Sequence, residues 1–298
     1  MRIMIEAVGS MVSGATIKYI HDAGHLVIGT DASQDCFAKE LCDEFYVVPC
    51  AGESNSFEIL QKLVIEKKID LVIPSLDEGM LKWANAKESL EKKGVHVAIS
   101  NVETIDVCED KWKTYLFFSK NNIPTPKSSL DQDYPLIKPR DGRGGSGIFV
   151  ANEKTDMAGM ISQELLKGTE YTVDVFCDID GEPVYIVPRK RVSVKEGKST
   201  AGIVEKNDEI ENIIRKICKA MKFNGPINIQ CFDDEKRGIC FTEINPRLGG
   251  GTALGIAATE NWIPLIVDTF VYKEKVKSAK NINYGLKMGR YYSEVFYK

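Results

Sequence analysis

The residues with most chemical promise in this 298-residue chain stand in Phe241-Thr-Glu-Ile-Asn-Pro-Arg247, which runs into Leu248-Gly-Gly-Gly251. In an extended strand alternate side chains share a face. Glu243 and Asn245 therefore point one way, and Thr242 and Ile244 the other. A carboxylate beside an amide oxygen suits a hard, oxygen-seeking cation such as Mg²⁺. Pro246 cannot donate to a sheet ladder and should end the strand. Arg247 then sits at the strand end, where a phosphate or carboxylate would lie beside the metal. Upstream, Ile227-Asn-Ile-Gln-Cys-Phe232 alternates too, and a polar turn, Asp233 to Gly238, separates the two runs, so the pair reads as a hairpin. Its polar face gathers Gln230, Glu243 and Asn245. The plain alternative is a half-buried hairpin whose polar residues face water.

A second group of residues suits anions. Tyr134-Pro-Leu-Ile-Lys-Pro139 reads as a strand with Lys138 near its end, followed by Arg140-Asp-Gly-Arg-Gly-Gly-Ser-Gly147 and a return strand, Ile148 to Ala151. Glycines let backbone N–H groups converge on an anion and let the loop move. It is not a Walker loop, because no Lys-Ser/Thr follows the last glycine. Further on, Pro183-Val-Tyr-Ile-Val187 continues into Pro188-Arg-Lys-Arg191, with a polar loop over 195–202. Alternation puts Arg189 and Arg191 on one face, and bidentate arginine suits carboxylate or phosphate. The alternative there is a solvated charge run.

The elements that must position these groups differ between the two halves. Strands at Ile3–Val8, Leu26–Thr30, Phe45–Val48, Asp70–Pro74 and His96–Ile99 alternate with helices at Ala15–Ala23, Phe57–Lys67 and a third ending at Lys93. That alternation implies an open parallel sheet covered by helices. Ligands of such sheets bind at the carboxyl ends of strands. Asp77 and Glu78, after the fourth strand, are therefore substrate candidates, or else they cap the next helix. The first turn has Gly9 and Gly14 without the G-x-G-x-x-G spacing, which disfavours a dinucleotide. In the second half, a helix ending at Asn122 precedes Ile123-Pro-Thr-Pro126, Glu170 to Phe176 alternates, and 207–222 is an amphipathic helix before the hairpin. Ala253–Thr259 and Ile263–Tyr272 read as helices, and the tail 285–296 as a terminal strand on the main sheet.

Taken together these motifs resemble the ATP-grasp ligases. Gln230, Glu243, Asn245 and Arg247 match the pattern of the carbamoyl-phosphate synthase large subunit position by position. The Asp110-Lys111 pair, the helix, the Pro-Thr-Pro turn, Lys138 and the glycine loop look like the ATP-grasp lid. The resemblance implies an α/β fold, α+β in the second half: a Rossmann-like domain over 1–103, then an ATP-grasp domain over 104–298. The lid would span about 112–165 and the C-terminal subdomain about 166–298. It implies ATP and Mg²⁺, or Mn²⁺ in its place. Lys111, Lys138, Arg143, Gly144, Gly145, Ser146 and Gly147 would contact phosphates. Gln163, Glu164, Leu165 and Leu166 would read adenine, chiefly through the backbone, and Glu170 would take the ribose. Gln230, Glu243 and Asn245 would hold the metal. Arg247, Arg189 and Arg191 would hold the carboxylate substrate and the transferred phosphoryl group. Gln163 stands where many members have Glu. The large subunit of carbamoyl-phosphate synthase has two such units in tandem, and this chain has one.

The bulk properties agree with such an enzyme. A net charge of −4 gives no general attraction to nucleic acid or anionic membrane. No apolar run approaches the ~20 residues of a bilayer span, and the N-terminus reads as a first strand rather than a signal peptide. Eight cysteines without a Cys-x-x-Cys pair read as free thiols in a reducing cytoplasm. The three histidines, His21, His25 and His96, all precede residue 100, so chemistry in the second half uses none. The expected activity is ATP-dependent joining of a carboxylate to an amine or ammonia through an acyl phosphate, with a homodimer as the assembly. The rivals are an enzyme that uses bicarbonate, a non-catalytic nucleotide-binding regulatory subunit, and an NAD-dependent dehydrogenase.

Overall fold

The computed structural model describes residues 1–142, 144–195, 198–291 and 293–297. Strands β1 (Arg2–Ile5), β2 (Leu26–Asp31), β3 (Glu44–Val47), β4 (Leu71–Ile73) and β5 (His96–Val97) form one sheet in the order β3-β2-β1-β4-β5. All four pairings are parallel. Parallel strands are covered on both faces and so read as apolar runs. Ile3 and Ile5 of β1 pack with Ile17 and Ile20 of α1 (Ser13–Asp22) on one face. Met4 packs on the other with Leu60 and Val64 of α2 (Ser56–Glu66) and Trp83 and Leu90 of α3 (Met80–Glu91). The expected Rossmann-like half is thus present.

Two capped helices lead onward. Asn101 accepts from the Thr104 amide at the start of α4 (Val102–Glu109), and Asp110 accepts from the Trp112 amide at the start of α5 (Lys111–Lys120). A small antiparallel sheet follows, of β6 (Ser128–Ser129), β7 (Leu136–Pro139), β8 (Phe149–Val150) and β9 (Met160–Gln163), in the order β6-β9-β7-β8. The main sheet holds β10 (Gly168–Cys177), β11 (Pro183–Lys195), β12 (Lys198–Val204), β13 (Gly225–Asp234), β14 (Gly238–Asn245) and β15 (Lys287–Gly289). It is antiparallel, in the order β14-β13-β10-β11-β12-β15. Between these strands lie α6 (Asp208–Ala220), α7 (Thr252–Ala257) and α8 (Trp262–Val267).

Three expectations need correction. The segment 195–202 is not a free polar loop: β11 keeps pairing past Arg191, with Arg191 opposite Gly202 and Ser193 opposite Ala201. Glu196 and Gly197 lie outside the described residues. The terminal strand shrinks to Lys287–Gly289, which pairs with β12. The helix expected to reach Tyr272 is α-helical only to Val267 and widens into a π turn, Asp268–Tyr272, which ends at Lys273 with φ 57°.

Besides the core under α2 and α3, two further apolar cores hold the molecule. One face of the main sheet packs Val173, Val175, Ile227 and Ile229 on Ile210, Ile214 and Ile217 of α6. The other core crosses between the sheets: Ile3, Ile5, Ile17 and Ile20 share a cluster with Phe176, Val187, Leu254, Ile256, Trp262 and Ile266. Burial of apolar area at ~25 cal/mol per Å² makes that shared cluster the main force holding the parallel sheet on the antiparallel one. Among the described residues, no helix is long and apolar enough to cross a membrane. All eight cysteines are free thiols.

Candidate active site

The site is built on one face of the main sheet. Directly opposed residues share a face. The pairings Glu243–Gln230, Gln230–Thr172 and Thr172–Arg189 therefore lay a polar row across four strands. Two residues along, Asn245 opposes Asn228, and Asn228 opposes Asp174. The ladder slips by one between Gln230 and Cys231, so β14 carries an extra residue at Thr242. That bulge lets Glu243 keep the cavity face while Phe241, two positions back, enters the core with Ile244.

Asp174 is the buried hub of this face. It accepts from Arg189 Nε and, at 3.0 Å, from Arg189 Nη2, from Asn228 Nδ2 at 2.8 Å and from Thr252 Oγ1 at 2.8 Å. The ion pair is 1% and 0% exposed. A buried pair persists only when its remaining polar atoms are satisfied, and here one atom is left over: Arg189 Nη1 has no partner. Three glycines lie flat on this network. A Cβ on Gly249 would meet Asn228 Cγ at 2.7 Å, one on Gly251 Arg189 Nη1 at 2.6 Å, and one on Gly255 Asp174 Oδ2 at 2.5 Å. The glycine run after Arg247 is thus held at close range by the sheet beneath it. Arg290 fastens the same run, donating from Nη2 to the Gly250 carbonyl and from Nε to the Ser199 carbonyl.

Each of the three arginines expected to act together also has an acid partner. Arg189 is spent on Asp174, and Arg191 pairs with Glu170. Arg247 makes a bidentate pair with Asp77, at 2.5 and 2.6 Å, across the boundary with the parallel sheet. Burial works against the Arg247 charge, but Asp77 and Glu243 outweigh it, so its guanidinium pKa is raised further. Asp77 and Glu78 start a short 3₁₀ turn after β4, at the carboxyl end where ligands were expected. That loop is tied down by Glu6, whose carboxylate accepts from the Ser75 amide at 3.2 Å and from Trp83 Nε1 at 3.1 Å. Burial raises the Glu6 pKa.

The lid brings the lysines. Lys111 is buried at the start of α5, donates to the Gly142 carbonyl at 3.0 Å and lies 3.8 Å from Glu243. Lys138 is buried, and its Nζ donates to Gln163 Oε1 at 2.9 Å, while Gln163 Nε2 donates to Ser128 Oγ at 2.8 Å. Burial pushes the Lys138 ammonium down to about 8, only partly offset by Glu243. Gly142, Gly144, Gly145 and Gly147 all take positive φ, the conformation an anion-cradling loop asks of glycine. Arg143 lies outside the described residues.

These parts meet in a cavity of about 650 Å³. Lys111, Gly144, Gly145, Ser146, Glu170, Arg189, Arg191, Gln230, Glu243, Asn245 and Arg247 all line it. Gly147, Lys138 and the four residues Gln163, Glu164, Leu165 and Leu166 are not part of the lining, nor are Asp77 and Glu78. Glu164 is turned away: it accepts from the Lys127 amide and pairs with Arg237. For a metal, the donor set is one carboxylate and two amides converging on the cavity. That set fits Mg²⁺ held jointly with phosphate oxygens and water rather than in an all-protein cage. Sequence reasoning had not given a role to Asp174, Asn228, Thr252, Arg290 or Glu6. Alternation had placed Asp174 and Asn228 on the right face, but not their partners.

The family model described as "ATP-grasp in the biosynthetic pathway with Ter operon" matches residues 156–290, and "PylC-like, N-terminal domain" matches residues 3–98. The chain is 24% identical over 275 residues to a carbamoyl-phosphate synthase of Methanobrevibacter smithii, covering 82% of this chain and 73% of that one. It spans about a quarter of the length of carbamoyl phosphate synthase large chains that it also matches. Among solved structures, the biotin carboxylase domain of Hydrogenobacter thermophilus 2-oxoglutarate carboxylase superposes with a TM-score of 0.74 at 14% identity, covering 96% of this chain and 73% of that one. An L-amino acid ligase from Bacillus licheniformis gives 0.70 at 15%, covering 93% and 75%. Both show the fold. The two consecutive family matches, the shared architecture and the strand-end motif agree: residues 156–290 match the ATP-grasp family, behind a PylC-like N-terminal stretch.

Proposed function

We propose that this chain is an ATP-dependent ligase that joins a carboxylate to an amine or ammonia, with release of ADP and phosphate. The single observation that carries the reading is the polar sheet face, which places Glu243, Gln230, Asn245 and Arg247 in one cavity with Lys111 and the lid glycines. In the reaction, a carboxylate oxygen of the substrate bonds to the γ-phosphorus and the bond to the β–γ bridging oxygen breaks. The products are an acyl phosphate and ADP. The amine nitrogen then bonds to the acyl carbon, the carbon–oxygen bond to phosphate breaks, and the amine loses one proton to solvent. Such transfer is catalysed mainly by positioning and charge neutralisation. Lys111, Lys138 and the loop amides would hold the phosphates, and Arg247 would face the transferred group. Glu243, Asn245 and Gln230 would hold Mg²⁺ or Mn²⁺, which neutralises triphosphate oxygens when bound. Gln163 to Leu166 would read adenine and Glu170 the ribose.

The division at 103/104, with a lid over about 112–165, fits sheets that occupy 2–97, 128–163 and 168–289. The free thiols suit a cytoplasmic protein, and the dimeric carboxylase neighbour is in keeping with a homodimer. A second reading, use of bicarbonate, is favoured by the similarity to carbamoyl-phosphate synthase. The test is ADP release with ATP, Mg²⁺ and paired carboxylates and amines, bicarbonate and ammonia included. We expect release that depends on substrate, and loss of at least a hundredfold in Glu243→Gln with the melting temperature retained. Full turnover in Glu243→Gln would remove the assigned centre.

A further inference from the structure

Beyond Arg247 the cavity continues toward the parallel sheet, and the character of its wall changes. Val12, Ala15 and Tyr19 of the α1 region face Leu248 and Ile256 of the α7 region, with Leu76 beside them. The lining over 5–19, 73–76 and 248–256 also carries the hydroxyls of Ser10, Ser13, Thr16, Ser75 and Thr252, and Glu6 is the one carboxylate or cation among its described residues. The oxygens of Glu6 are already occupied by the Ser75 amide and Trp83 Nε1. The wall is also fixed in place. Tyr19 Oη donates to the Ala253 carbonyl at 3.2 Å, and Asn261 Nδ2 donates to the Tyr19 carbonyl at 2.7 Å.

Size matters here. Ammonia and bicarbonate each need room on the order of one or two waters, at ~30 Å³ per water. The cavity of about 650 Å³ also has to take the ribose and triphosphate proposed for Glu170, Lys111 and the loop glycines, so the α1–α7 wall rather than the total volume decides the substrate. Pockets of several hundred Å³ with mainly apolar walls and a few polar anchors are built for organic ligands.

We propose that at least one of the two joined substrates is an organic acid or amine with an uncharged, mainly apolar body about the size of an amino acid. That body would lie between α1 and α7, with its reacting group toward Arg247. This rests on the ligase reading, and it selects the carboxylate–amine form over the pair of bicarbonate and ammonia.

The test compares wild type with Ala15→Phe, which fills the wall, and Ala15→Val, which fills it less. ADP release is measured with bicarbonate and ammonia, and with acetate, isovalerate, leucine and phenylalanine paired with ammonia or an amino acid amide. Binding of the same acids and amides to the ADP–Mg²⁺ form is followed by thermal shift, and nucleotide affinity is recorded for each variant. The expected result is at least tenfold higher kcat/KM for apolar-bodied substrates than for acetate or bicarbonate. Ala15→Phe should lower that value at least tenfold, Ala15→Val less, with nucleotide affinity kept within twofold. Equal efficiency with bicarbonate and ammonia, untouched by Ala15→Phe, would overturn the inference and leave the ligase reading standing. Binding of apolar-bodied ligands that Ala15→Phe abolishes, without ADP release from any pair, would sink the ligase reading and with it the inference that rests on it. Absence of any such binding would overturn the inference.

Discussion

Lys138 shows how one substitution among neighbours sets the chemistry of a residue. Its ammonium is buried and bonded to the amide oxygen of Gln163, where a carboxylate would have held the charge. Burial therefore lowers its pKa to about 8 in the free protein. A triphosphate is attracted only by the charged form, and that form is lost as pH rises through about 8. Affinity for an ATP analogue should accordingly fall between pH 7 and 9. Gln163→Glu places an anion on the ammonium, raises its pKa and should move the fall to higher pH. Calorimetric titration across that range checks both; a pH-independent affinity in wild type would show that Lys138 does not meet the phosphates.

At the scale of elements, the glycine run and the sheet face form one structure. Asp174→Ala would leave Arg189 buried and unpaired, and breaking such a pair costs ~3–5 kcal/mol. We expect a large fall in melting temperature, not a local loss of activity alone. Gly251→Ala is milder: the guanidinium must give way to a Cβ at 2.6 Å, and overpacking of this kind costs ~1–3 kcal/mol. It should stay folded, melt lower and release ADP more slowly, because the run above Arg189 is displaced. Unchanged stability in both variants would deny the network its role. This is also where the sequence was least legible. The hairpin and a polar face that gathers Gln230, Glu243 and Asn245 followed from alternation and a polar turn. The diagonal reach of Arg189 to Asp174 did not, because alternation gives a face and not a partner. For the same reason the acids that pair with them, Asp174 with Arg189 and Glu170 with Arg191, were not read from the sequence.

At the scale of the molecule, the parallel sheet is a wall of the site as well as a neighbour of it. The shared apolar cluster and the Asp77–Arg247 pair both cross that boundary. The alternation of strands and helices made the parallel sheet legible, and the rule of carboxyl strand ends pointed to Asp77. Its contact with Arg247, 170 residues away in sequence, depends on how the sheets dock, which no local pattern encodes. Asp77→Asn should lower the melting temperature only moderately, because the amide oxygen still accepts from Arg247 although the pair, 14% and 21% exposed, is largely buried. It should nevertheless lower ADP release at least tenfold, because Arg247 loses its orienting partner. Wild-type turnover in that variant would make the pair incidental.

The central claim is that a carboxylate oxygen attacks the γ-phosphorus at this face. The most direct measurement starts from a substrate carboxylate labelled with ¹⁸O and follows the label by mass spectrometry of the released phosphate. The account predicts one ¹⁸O in each phosphate formed with the ligated product. Product formation with unlabelled phosphate would contradict it.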